Sequence, residues 1–308
     1  MNIPIPETPN TGTIFVNDIA TLDCAFFDPS SGISGQSWHV DAHVTGPLDD
    51  NGFVYDFSVL KSVVRHVLKS TLDHTLIIPV GSSGINYSET NGVEHWRLHA
   101  KTKLTNTDFE WVYECPKGAV YPIRAISLKP SIVAQELSRL VKHRLSSTIQ
   151  NINIQIRQET TAPATASYHY THGISGHEGA CQRLFHGHRA MIEVYQGPER
   201  RCDLEHFIVR EVFGVHVHFA TPTQVKAGSF EVGQRGKDSS PITLSIEGSL
   251  GRYEAVLPSN RVFIVEPVPS VECIAKQVAK VLQNQEPQSK NLRLVCYEGI
   301  GKGAVMEV

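Results

Sequence analysis

The strongest constraint on this 308-residue chain is that it passes twice through one pattern. In the first half, Pro130-Ser131 opens a helix whose apolar positions Ile132, Val133, Leu137, Leu140, Val141 and Leu145 form one stripe. An alternating strand over residues 152–158 follows and ends in the carboxylate Glu159. In the second half, Pro269-Ser270 opens a helix over residues 274–282 that lines up with residues 133–141, and the strand over residues 292–297 ends in Glu298. Upstream, Trp38, Val40, Ala42 and Val44 alternate with His39, Asp41 and His43 as far as Gly46-Pro47, and the strand that contains His186 and His188 runs on to Gly197-Pro198 in the same way. Similarity at so long a period predicts a duplicated supersecondary unit of β-β-α-β-α-β type. The junction between Thr160 and Tyr168 divides the chain into units 1–162 and 163–308, each near the length of an ordinary domain.

Local chemistry supplies further elements. Residues 14–27 are rich in β-branched and aromatic side chains and read as a strand that stops at Asp28-Pro29-Ser30-Ser31-Gly32. Asp56 stands where an N-cap belongs, and Phe57, Val59, Leu60, Val63, Val64, Val67 and Leu68 keep helical spacing towards Leu72-Asp73-His74. Residues 95–122 read as a hairpin, and Cys202-Asp203-Leu204-Glu205 starts a weaker helix.

Partners are narrowed by what the chain lacks. A formal charge of −3 without blocks of Lys or Arg argues against nucleic acid and membrane surfaces, and favours small molecules. The first seven residues have neither a basic nor an apolar signal-peptide region, and no apolar run approaches membrane-spanning length, so the expected compartment is cytoplasmic. The six cysteines form no C-x-x-C pair and suit reduced thiols.

His186-Gly187-His188 is the motif with the clearest chemistry. Residues two apart on a strand point to one face, so the two imidazoles can converge on one ion while Gly187 lets the backbone come close. A third ligand is required, with His172 preferred over His169 and His177. Cys181 lies just upstream. His216 and His218 repeat the spacing without supporting residues and read as strand histidines, and Gly301-Lys302-Gly303-Ala304 reads as a C-terminal turn.

Together, Cys181 ahead of His186-Gly187-His188, Tyr168 to His172 before them, Gly52-Phe53-Val54-Tyr55-Asp56-Phe57, Leu72-Asp73-His74 and a strand ending in Glu resemble the 6-pyruvoyl-tetrahydropterin and 6-carboxytetrahydropterin synthase family. The resemblance implies an α+β tandem duplicated tunnelling fold (T-fold), with antiparallel sheets carrying helices on one face, and a homo-oligomeric barrel built from several units. Carried over residue by residue, it implies Zn2+ on His172, His186 and His188, a catalytic Cys181, and an acid/base pair Asp73 and His74. A pterin-anchoring carboxylate falls on Glu298 or Glu159, with Glu298 favoured because Gly299-Ile300-Gly301 lets a ligand approach the backbone.

Two departures from the family pattern complement each other. Ser34-Gly35-Gln36 stands in the first half where His186-Gly187-His188 stands in the second, so that unit has lost the metal motif. The stretch from Val215 to Phe219 stands where the first half has Leu72-Asp73-His74, so the second unit has lost the carboxylate. A specialised fusion follows, in which the second unit supplies metal and thiol and the first supplies Asp73 and His74. The implied activity is a lyase acting on 7,8-dihydroneopterin triphosphate. Within it, the 6-carboxytetrahydropterin branch that feeds 7-deazaguanine and queuosine synthesis is favoured over the 6-pyruvoyl branch. A non-catalytic pterin- or purine-binding scaffold is the alternative. Arg183 and Arg189 are the nearest candidates for the triphosphate.

Overall fold

The computed structural model describes residues 10–102, 107–162, 165–176, 180–226, 230–289 and 291–308. Its first half runs β1 (Thr11–Asp28), β2 (Gly32–Pro47), α1 (Phe57–Thr71), β3 (Leu76–Pro79), β4 (Ile85–Thr90), β5 (Val93–Thr102), β6 (Thr107–Pro116), β7 (Val120–Ile123), α2 (Pro130–Lys142) and β8 (Asn151–Arg157). Its second half runs β9 (Ser167–His172), β10 (His186–Gln196), β11 (Glu199–Arg200), α3 (Cys202–Phe207), β12 (His216–Ala220), β13 (Pro241–Gly248), β14 (Gly251–Pro258), β15 (Val262–Ile264), α4 (Val271–Gln285), β16 (Leu292–Tyr297) and β17 (Gly303–Glu307). A π-helical turn, Ile208–Val212, extends α3.

Strand order repeats with the sequence. The first sheet is ordered β7-β3-β1-β2-β8, and the second is ordered β15-β12-β9-β10-β16 with β17 added beyond β16. The class is α+β, as expected. The sheets are mixed rather than wholly antiparallel, because β1 and β3, β3 and β7, β9 and β12, and β12 and β15 pair in parallel. Between β3 and β7, and again between β12 and β15, the chain leaves to build a hairpin and returns to the same end, the long connection that parallel neighbours need. The expected hairpin is β5 and β6. It joins the second half's hairpin through β6 and β14 in a third sheet, ordered β13-β14-β6-β5-β4.

The chain forms two compact units, one of Met1–Leu22, Trp38–Asp73 and Leu128–Glu159, the other of Asp23–Ser37, His74–Ser127 and Thr160–Val308. In the first unit the Asp56 carboxylate caps α1 by accepting from the Ser58 and Val59 N–H groups. The buried stripes of α1 (Leu60, Val64, Val67, Leu68) and α2 (Val133, Ala134, Leu137, Val141) keep the periodicity read from the sequence. In the second unit α3 and α4 share one core with Tyr168 and Tyr170 of β9 and with Ala190, Ile192 and Val194 of β10. Among the described residues Cys24, Cys115, Cys181, Cys202, Cys273 and Cys296 form no disulfide. Among the described residues no helix is long and apolar enough to cross a membrane.

Candidate metal centre

Strand register brings three histidines together. His186 pairs opposite His172, His188 opposite Tyr170, and Ala190 opposite Tyr168. These residues share one face, and on it Tyr168, Tyr170, Ala190 and Ile192 pack into the helix-covered core. His172, His186 and His188 continue that face to the end of the sheet, where imidazoles replace the apolar side chains. Gly187 is needed there, because a Cβ on it would stand 2.1 Å from the Tyr170 carbonyl and 2.9 Å from the Gly35 Cα. The glycines of the two aligned motifs thus face each other.

One ligand atom from each of His172, His186 and His188 lies within 4.8 Å of the others, and all three side chains are buried. The His172 Nδ1 is 2.6 Å from the Pro269 carbonyl, and the His186 Nδ1 is 3.2 Å from the Arg183 carbonyl. Such carbonyls fix the tautomer and leave Nε2 as the ligand. The His172 Nε2 is buried with no hydrogen-bond partner, an arrangement that fits an ion and is costly without one. Burial first, and the neighbouring imidazoles second, push His172 and His186 well below the ordinary histidine range, so both are neutral, as metal ligands must be. The trio can therefore hold a metal ion.

Two further predicted residues reach the same place. His74 stacks on His186 with ring centroids 5.1 Å apart, and ligand atoms of His74, Cys181 and His186 form a second group within 4.8 Å. Cys181 lies in a 3₁₀ turn, Ala180–Gln182. Asp73 is half-buried in the other compact unit, where its N–H donates to the Leu68 carbonyl. Glu159 follows β8 in that unit too, whereas Glu298 follows β16 with its Oε1 4.0 Å from the His188 Nε2. Of the alternative third ligands, His169 has its Nδ1 2.8 Å from the Gly35 carbonyl and stacks on His216, and His177 lies outside the described residues.

Three residues around the trio were not expected. Asp23 is buried with its Oδ1 3.2 Å from the His188 Nδ1, accepts from the Ser37 hydroxyl, and lies 3.4 Å from the Lys302 ammonium. Burial alone would raise its pKa, but His188, Lys302 and Ser37 hold the carboxyl well below the usual carboxylate range. Lys302 also lies 3.7 Å from Glu298. Burial would lower the ammonium, and Asp23 and Glu298 outweigh it, so its pKa is raised. The turn that carries Lys302 comes this close because Gly299 has φ 67°, and a Cβ there would meet the Ser37 hydroxyl at 2.7 Å. A carboxylate amid apolar strand residues was the only sequence signal for Asp23.

Residues 21–110 match the family model described as 6-pyruvoyl tetrahydropterin synthase. That stretch of the chain is similar to the family. The matched stretch holds Asp73 and His74 of the first half, whereas the histidine trio lies beyond it. Solved 6-pyruvoyltetrahydropterin synthases of Plasmodium vivax and Plasmodium falciparum are similar at 19% identity and a TM-score of 0.40, over 50% of this chain and 95% of theirs. No match was found among curated proteins.

Proposed function

We propose that the chain is a zinc-dependent pterin synthase acting on 7,8-dihydroneopterin triphosphate, of the 6-carboxytetrahydropterin synthase type. The observation that carries this reading is the convergence of His172, His186 and His188, with ligand atoms within 4.8 Å, beside His74 and Cys181. Three imidazoles are a catalytic zinc donor set that leaves a coordination position open. When bound, zinc would polarise a substrate hydroxyl and acidify the adjacent C–H. Cys181 is the group to take that proton, and His74, covalently next to Asp73, the group to return one. Glu298 is the carboxylate to accept two N–H bonds from an aminopyrimidinone edge and so fix the ring's register. On this reading the units are 1–162 and 163–308, metal binds only in the second, and the protein works as a cytoplasmic homo-oligomer.

Metal analysis and product mass spectrometry test the reading together. Wild type should carry about one zinc per chain and convert the triphosphate to a 6-carboxy product. His186→Ala should lose the zinc, and Cys181→Ala should keep it while losing turnover. Wild-type protein without zinc, or Cys181→Ala turning over like wild type, overturns the reading; a 6-pyruvoyl product moves it to the other branch.

A further inference from the structure

One cavity is built from a strand that has no counterpart among the described residues of the second half. Between β3 and β7 the first half makes three strands, β4, β5 and β6, whereas between β12 and β15 the described residues of the second form two, β13 and β14. Under β4 lies a cavity of about 390 Å³, lined by Val80, Ile85, Tyr87, Glu94, Trp96 and Pro122. Its walls are mainly apolar, and Tyr87 and Trp96, directly opposite on β4 and β5, have ring centroids 4.5 Å apart. Tyr87 is 50% exposed, so one side of the aromatic pair opens to solvent.

Glu94 is the ionisable carboxylate of this lining and is only 7% exposed. Its Oε2 accepts from the Trp96 indole N–H at 3.1 Å. Among the described residues no cation lies within ion-pair distance of it; Lys117, which acts on it from farther off, lies 3.7 Å from Glu89. Burial, and Glu89 secondarily, raise the Glu94 pKa, and Trp96 and Lys117 offset only part of the rise. A buried carboxylate without a counter-ion in direct contact is costly, and aromatic faces beside a carboxylate attract an organic cation. The size suits a small ligand.

We propose that the cavity under β4 binds a small organic ammonium group, with Glu94 as counter-ion and Tyr87 and Trp96 as the aromatic wall. Choline is the probe, titrated calorimetrically into the full chain against its neutral carbon isostere, in which a tert-butyl group replaces the trimethylammonium. Choline should bind and the isostere should not. Glu94→Gln keeps the shape and the bond from Trp96, and should weaken choline roughly tenfold, the size of one lost charge contact. Tyr87→Ala, at an exposed position where folding is not at risk, should weaken it as well. No choline binding, equal binding of the isostere, or choline binding unchanged in both variants overturns the proposal.

Discussion

His74 has φ 57°, in the left-handed region that L-residues with a Cβ enter at a cost of about 1 kcal/mol. Its N–H donates to the Asp23 carbonyl at 2.7 Å while its ring stacks on His186, so a strained backbone aims an imidazole at the histidine trio. A glycine there relieves the strain and removes the imidazole. His74→Gly should melt no lower than wild type, yet lose turnover by roughly 100-fold, the usual worth of a general acid or base. His74→Ala should lose as much turnover without the gain in stability. Thermal melts and steady-state rates of the two variants check this, and a His74→Gly protein that keeps its activity removes His74 from the chemistry. At this scale the sequence displayed the histidines because their spacing on β10 is local. It concealed Asp23, Ser37 and Lys302 because only the folded chain brings β1, β2 and the turn after β16 to His188.

Among the elements, legibility follows the pattern of burial. The helices α1, α2 and α4 were readable because one face of each is apolar. The strand β2 begins at Gly32, six residues before the alternation starts, because Ile33 to Ser37 are all buried and polar Ser34, Gln36 and Ser37 break the period. The strand β4 carries Asn86-Tyr87-Ser88-Glu89-Thr90, exposed throughout at a sheet edge, so it gives no buried-face signal. The weak start read at Cys202 is a short helix held by a polar contact rather than an apolar stripe. Glu205 is 0% exposed, receives two bonds from Arg200 at 2.8 and 3.0 Å, and accepts the Val194 N–H of β10 at 3.1 Å. Removing one partner of a buried pair leaves the other uncompensated. Glu205→Ala should therefore cost about 3 kcal/mol, read as a lower urea midpoint with an unchanged slope. A midpoint within error of wild type would mean that the pair contributes nothing net.

Across the whole molecule the imidazoles stand in unlike surroundings, and acid should separate them. His216 and His218 of β12 stand outside the trio: His216 has its Nδ1 2.8 Å from the Ser34 hydroxyl, and His218 its Nδ1 2.8 Å from the Thr171 hydroxyl. Burial pushes both down to about 3. The folded chain thus holds them neutral at pH values where the unfolded chain, with histidines near 6.5, takes up protons. Stability from this source is complete above about pH 6.5, falls as the pH drops below it, and stops falling only near pH 3. Between pH 7 and pH 5 each histidine should remove roughly 2 kcal/mol. His218→Gln cannot titrate, so the stability gap between it and wild type should shift in favour of the variant by that amount over the same interval. Urea unfolding of metal-free protein at pH 7, 6 and 5 measures the gap, and a gap that stays constant with pH would mean that His218 is not held neutral by the fold.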